Sequence, residues 1–152
     1  MRARLSLHMS APVPTLQAIA DRQAIAQLMS EFAWCADQHD APGICRLFLS
    51  DGRFGTPTAQ VTGQAALLAE LSARIGFPQR VSRHVWANLR FLEMTDRQIK
   101  TAAIQQTHEQ DPGKVPIVKI SDVADTFRRD AQGQWKFFER VLDRKMVLTA
   151  HA

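Results

Sequence analysis

The feature that most constrains this chain is a change of hydrophobic period at its middle. Before about residue 80, apolar residues recur at three- and four-residue spacing, and from His84 onward they fall in extended runs separated by strong turn signals. In the first half, Asp21 can cap a helix running from Arg22 to about Gln38, with Ile25, Leu28, Met29, Phe32, Cys35 and Ala36 forming its apolar stripe. Asp37 lies beside that stripe. Asp40-Ala41-Pro42 breaks and restarts the chain, and Ile44, Leu47 and Phe48 continue a short second helix. Ser50-Asp51-Gly52 reads as a turn, and Phe54 opens a short extended piece. A third helix is expected from Gly63 to Ile75, ended by Gly76-Phe77-Pro78.

The second half predicts four strands: His84 to Met94, Ile99 to Glu109, Val115 to Arg129 and Gln134 to Arg144. Thr95-Asp96-Arg97, Asp111-Pro112-Gly113 and Asp130-Ala131-Gln132-Gly133 connect them. Connections this short between consecutive strands make the sheet mostly antiparallel, so the class is α+β. Simple alternation puts Val85, Ala87, Leu89 and Phe91 on one side of the first strand, with Trp86 and Leu92 on the other. A strand apolar on both sides needs two covers. Helices supply one, and a second copy of the chain, in a homodimer through the sheet face, is the simplest other.

Composition narrows the function classes. The 152 residues fit one domain with a real core, at 45% hydrophobic and 22% charged. No apolar run approaches the ~20 residues of a membrane span, so no membrane partner is expected. Met1 to Pro14 lacks the apolar stretch of a signal peptide and reads as a loose tail. Cys35 and Cys45 lack metal spacing and read as free thiols in a reducing, cytoplasmic compartment. The net charge of +4 is spread out, with Arg128-Arg129 and Arg144-Lys145 short and interleaved with acids, so nucleic acid is not the expected partner. Phosphate loops and a serine nucleophile elbow are absent.

The segment from Val81 to Asn88 carries the chemistry. Alternation places His84, Trp86 and Asn88 on one face, which suits the wall of a polar-tipped cavity better than plain core. Asp37 is a plausible acidic partner for His84. Asp125 and Arg140 are expected to form a structural pair across the last hairpin. Trp34, Trp86 and Trp135 fit core positions, with Trp86 able to line a cavity, and His8, His39 and His151 read as tail or loop residues.

Four segments resemble a known family. Ala20-Asp21-Arg22-Gln23-Ala24-Ile25 looks like its opening. Asp37-Gln38-His39-Asp40 with Leu47-Phe48 and Asp51-Gly52 looks like its helix-to-strand passage. Gly63 with Ser82-Arg83-His84 and Asn88 looks like its central signature, and Asp125-Thr126-Phe127-Arg128 with Gly133-Gln134-Trp135 and Arg140 looks like its closing hairpin. Together they resemble the SnoaL-like branch of the superfamily named after nuclear transport factor two. The resemblance implies a cystatin-like cone: three N-terminal helices packed in the concave face of a highly curved, mostly antiparallel sheet. It implies a single domain over residues 15–147, with tails at 1–14 and 148–152.

Relatives of that kind include scytalone dehydratase, ketosteroid isomerase, polyketide cyclases and the small subunits of ring-hydroxylating dioxygenases. The polar set is most similar to that of scytalone dehydratase, whose Asp and two His would correspond to Asp37, His84 and His108. The chain has no Tyr, so that enzyme's water-orienting phenols have no counterpart here. Trp34, Phe48, Phe54 and Trp86 would supply apolar contacts to substrate. The chemistry follows from the residue types: an imidazole takes a proton from carbon, a carboxylate orients it, and a second group handles a proton at oxygen. Asp37 and His84 form the expected dyad, Asn88 would orient a carbonyl, and His108 would be the second carrier if its register turns it inward. The same three could instead make a two-His-one-carboxylate iron set, a reading set aside because none has short ligand spacing. The expectation is a proton-transfer dehydratase, isomerase or cyclase acting on a small oxygenated ring compound, with no metal and no cofactor. The alternative is a ligand-binding module or a dioxygenase small subunit.

Overall fold

The computed structural model describes residues 14–149, so nearly all of the expected N-terminal tail, with His8, and also His151 lie outside the described residues. Helix α1 spans Leu16–Asp37 and begins at Thr15, whose Oγ1 accepts the Ala18 N–H at 3.1 Å. The helix therefore starts before Asp21, which is not a cap. Asp21 is buried and accepts hydrogen bonds from Trp135 Nε1, Arg129 Nη2 and Gln17 Nε2, each at 2.9 Å. It ties α1 to the far end of the sheet.

Burial opposes the Asp21 charge, but the bonds from Trp135, Gln17 and Arg129 outweigh it and hold the carboxyl below the ordinary 3.8. A depressed folded value means the stabilisation is present above the unfolded value and lost as pH falls through the folded one. Asp21→Ala is expected to cost about 2–3 kcal/mol at pH 7 by urea unfolding, with the gap from wild type narrowing below about pH 4. An equal loss at pH 7 and pH 2 would contradict this account.

Helix α2 spans Ala41–Arg46, capped by Asp40, whose Oδ1 accepts the Gly43 N–H at 2.8 Å. A Cβ at Gly43 would stand 2.1 Å from the Asp40 carboxylate, so this cap requires glycine. Leu47 ends the helix. Strand β1, Phe48–Gly55, includes Ser50-Asp51-Gly52, where its register against β6 shifts, so the expected turn is an irregularity within a strand and Phe48 is not helical. On either side of that irregularity β1 lies parallel to β6, a partner not visible from local residues. Strand β2, Gln60–Thr62, hairpins back on β1. Helix α3 is Gln64–Ile75, preceded by Gly63 at φ 87°.

The remaining strands are β3 Val81–Met94, β4 Gln98–Gln110, β5 Ile117–Arg129 and β6 Trp135–Thr149. β6 carries Leu148 and Thr149 in strand, so the ladder continues past the expected boundary at 147. The sheet order is β2-β1-β6-β5-β4-β3, antiparallel except for β1 with β6. The helices cover one face, where Ile25, Met29, Phe32, Phe48, Phe54, Phe127 and Phe137 form the core. Phe32 meets four rings at 5.8 to 6.4 Å between centroids.

Two breaks in the β3 register rearrange its faces. The pairing with β4 shifts between Ala87 and Arg90, where Asn88 sits at φ 54°, and again between Phe91 and Glu93. Ser82 and Trp86 point inward before the first break, and Leu89 and Phe91 pack on the core after it. The breaks bring Leu89 and Phe91 to the inner face, while Val85 and Leu92 stay exposed. Cys35 and Cys45 are free, and burial pushes both thiols up.

Candidate active site

Asp37 is the last residue of α1, and β3 is an edge strand of the sheet. An edge strand has backbone donors without a ladder partner. Asp37 meets one of them: its Oδ2 accepts the backbone N–H of His84 at 3.2 Å. Oδ1 lies 2.7 Å from His84 Nδ1 and 3.4 Å from the Ser82 hydroxyl that donates to it. A carboxylate only accepts, so Nδ1 carries the ring proton and Nε2 is left as the basic nitrogen. The Asp37 and His84 side chains are 11% and 10% exposed, so the pair is shielded but reachable.

His84 stands on the wall of a cavity of about 270 Å³. Phe32, Phe54 and Leu71 make its apolar side, and Gln105, Thr107 and Glu109 of β4 its polar side. These three polar residues alternate along the strand at the parity that faces the helices, a period-2 polar run that is legible once the inner face is known. His39, expected to be an ordinary loop residue, also lines the cavity. It sits at φ 60° between α1 and α2, and its Nδ1 donates to the Ile75 carbonyl at 2.7 Å. Its tautomer is thereby set as for His84, with Nε2 free.

The other expected site residues separate. His108 pairs with Arg83 and Val118 and is exposed on the outer face, because His84 pairs with Thr107 and cross-strand partners share a face. It cannot serve as the second proton carrier of this cavity, and Asp37, His84 and His108 cannot converge on one metal ion. Among the described residues no cluster of three or more His, Cys, Asp or Glu is placed to hold one. Asn88 is turned outward by the β-bulge and borders a shallow depression on the outer face with Arg90 and Ile104. Trp34 is 66% exposed on the solvent side of α1. Phe48 is core, packed on Phe137 at 5.1 Å, and Trp86 donates its indole N–H to the Met29 carbonyl at 3.0 Å. Of the expected apolar contacts, only Phe54 lines the cavity.

The mouth is basic. Arg80 forks onto Asp111 at 2.7 and 3.1 Å and lies 3.4 Å from Glu109, which also takes Lys119 at 2.6 Å. The Arg80 bond holds the Asp111 carboxyl at about 2, so this latch between the α3–β3 and β4–β5 loops stays ionised well into acid.

Three helices against one face of a curved sheet, enclosing a small cavity with an imidazole–carboxylate pair on its wall, define a cone-shaped α+β domain. Residues 17–141 match the SnoaL-like domain, and the chain belongs to that family. Among solved structures it is similar to a protein provisionally named a scytalone dehydratase from Novosphingobium aromaticivorans, with 20% identity, 88% of this chain and 90% of that one covered, and a TM-score of 0.78. It is similar to a hexachlorocyclohexane dehydrochlorinase, LinA type 2, with 16% identity, 90% and 93% coverage and a TM-score of 0.79. A Catenulispora acidiphila protein solved in complex with S-DNPA is 17% identical, with 83% and 94% coverage and a TM-score of 0.73. At these identities the likeness is one of fold. No curated protein sequence matches the chain. No helix among the described residues is long and apolar enough to cross a membrane.

Proposed function

We propose that the protein is a proton-transfer enzyme of the dehydratase, isomerase or cyclase kind, acting without a cofactor on a small oxygenated ring compound. The observation that carries this reading is the 2.7 Å contact between Asp37 Oδ1 and His84 Nδ1 at the wall of an apolar cavity. Nε2 of His84 takes a proton from carbon, and Asp37 compensates the imidazolium that forms. As the imidazolium, with Nδ1–H kept on the Ile75 carbonyl, His39 on the same wall would deliver the proton at oxygen from Nε2. Phe32, Phe54 and Leu71 hold the ring and keep the site dry.

The test is hydrogen–deuterium exchange at the α-carbon of 1-tetralone and 2-tetralone in D2O, followed by proton NMR. Exchange above buffer that vanishes in His84→Ala is expected. No exchange, or exchange indifferent to His84, would reduce the protein to a binding module.

We also read the outer sheet face as the contact of a homodimer. Val85, Met146 and Leu148 stand 48%, 49% and 51% exposed, and Ile104 and Ile120 share their side of the sheet. Sedimentation velocity showing only monomer at about 50 µM, where a dimer held by about 6 kcal/mol or more would populate, would remove this contact.

A further inference from the structure

The cations around the cavity are not equivalent. Arg74 is held by Glu70 at 2.6 Å, Arg80 by Asp111 and Glu109, and Lys119 by Glu109. Arg144, which lines the same cavity, has no carboxylate within ion-pair distance among the described residues, and its Nε donates only to the Ser121 hydroxyl at 3.2 Å. Its neighbour Asp143 is taken by Lys145 at 2.6 Å and borders the outer face. The two Nη groups of Arg144 are therefore an uncommitted fork, the geometry that matches a planar carboxylate through two parallel bonds.

The sheet register places this fork relative to the dyad. Trp86, Gln105, Ser121 and Arg144 form one row across four strands, and His84, Thr107 and Lys119 form the next. Arg144 is thus three strands from β3, roughly 14 Å at the backbone at ~4.8 Å per strand. Both side chains line the cavity, His84 shielded and Arg144 exposed at the rim, which leaves a gap that one or two fused rings bridge. The volume of about 270 Å³ sets the same upper size. Between the two lies Gln105, buried, whose Oε1 has no hydrogen-bond partner while its amide N–H donates to Thr107 Oγ1 at 2.7 Å. That acceptor suits a ring hydroxyl on the bound molecule.

We infer that the cavity takes a one- or two-ring aromatic or cyclic acid, its carboxylate on Arg144, a ring hydroxyl on Gln105 and its reacting carbon towards His84. The inference rests on the proton-transfer reading for the last of these contacts only. The other two concern recognition and are tested without turnover.

Isothermal titration of 2-naphthoate and its neutral isostere 2-naphthamide separates charge from shape. The acid should bind the wild-type chain at least ten-fold more tightly than the amide. Arg144→Gln should erase that preference by weakening the acid while shifting the amide less than two-fold. Arg74→Gln, which removes a cation already paired with Glu70, should leave the preference within two-fold. Equal binding of acid and amide, a preference that survives Arg144→Gln, or no heat from either probe at millimolar concentration would each overturn the inference. The preference should persist in His84→Ala. A protein that prefers the acid but exchanges no α-hydrogen would sink the catalytic reading and leave this one standing, and the converse result would do the reverse.

Discussion

Asp37→Asn is expected to lower the His84-dependent exchange by about 10³–10⁴-fold while leaving the protein folded. The carboxamide keeps one oxygen, which can still accept the His84 backbone N–H. Its amide nitrogen, however, is a donor, and facing Nδ1 it would reverse the ring tautomer, moving the proton to Nε2. The imidazole would then present a donor where the reaction needs a base. It would also lose the negative charge that compensates the imidazolium, now 2.7 Å away. Fewer accepted bonds should cost about 1 kcal/mol of stability. Exchange rate and thermal unfolding measured on the same sample separate the two effects. A variant that retains wild-type exchange would show that Asp37 only fastens α1 to the edge of β3.

The largest stability effect is expected at Arg140 and Asp125. They pair directly across β5 and β6, Nε to Oδ1 and Nη2 to Oδ2, both at 2.8 Å, with side chains 0% and 1% exposed. The guanidinium lies 4.1 Å from the Phe32 ring and 4.5 Å from those of Trp86 and Phe137. Stacking on three rings offsets part of the desolvation, since cation–π contacts strengthen away from water. Arg140→Met strands a buried carboxylate and should cost about 3–5 kcal/mol. Asp125→Leu strands a buried guanidinium and should cost as much. The double variant removes both charges and should recover to within about 1 kcal/mol of wild type by guanidinium unfolding. If the single variants fail to accumulate, a folded double variant still demonstrates the coupling. Single losses below 1 kcal/mol would refute it.

His84 and His108 differ in whether a local pattern or a distant strand pairing sets their direction. Both are histidines in extended segments with polar and apolar neighbours. His84 was legible because its acidic partner lies at the end of a helix whose stripe is unmistakable, so its direction follows from one local periodicity. His108 depended on the pairing of two strands, and a one-residue difference in register decides its face. Asn88 failed for a related reason. Period-2 alternation assumes an unbroken ladder, and a residue at positive φ between Ala87 and Arg90 resets it. The residue type is the sole local mark of that bulge, since asparagine takes positive φ more readily than other non-glycine residues. Asp21 is a buried tie and not a cap because its Trp135 and Arg129 donors come from the other end of the chain, which the capping rule, based on residue type, does not see.

What the sequence determined by itself is what rests on near neighbours. The helices follow from three- and four-residue periodicity, the long strands from apolar runs between Asp-Pro-Gly and Asp-Ala-Gln-Gly turns, and the α+β class and family from their order. The tertiary structure alone decided which side chains share the cavity. That set comes from β1 lying parallel to β6, the β3 bulge and the β4–β5–β6 register, which bring Phe54, His84, Gln105 and Arg144 together from strands far apart in the chain. The physical reason is that strand pairing and register are set by long-range packing, while local propensity specifies only that a strand will form.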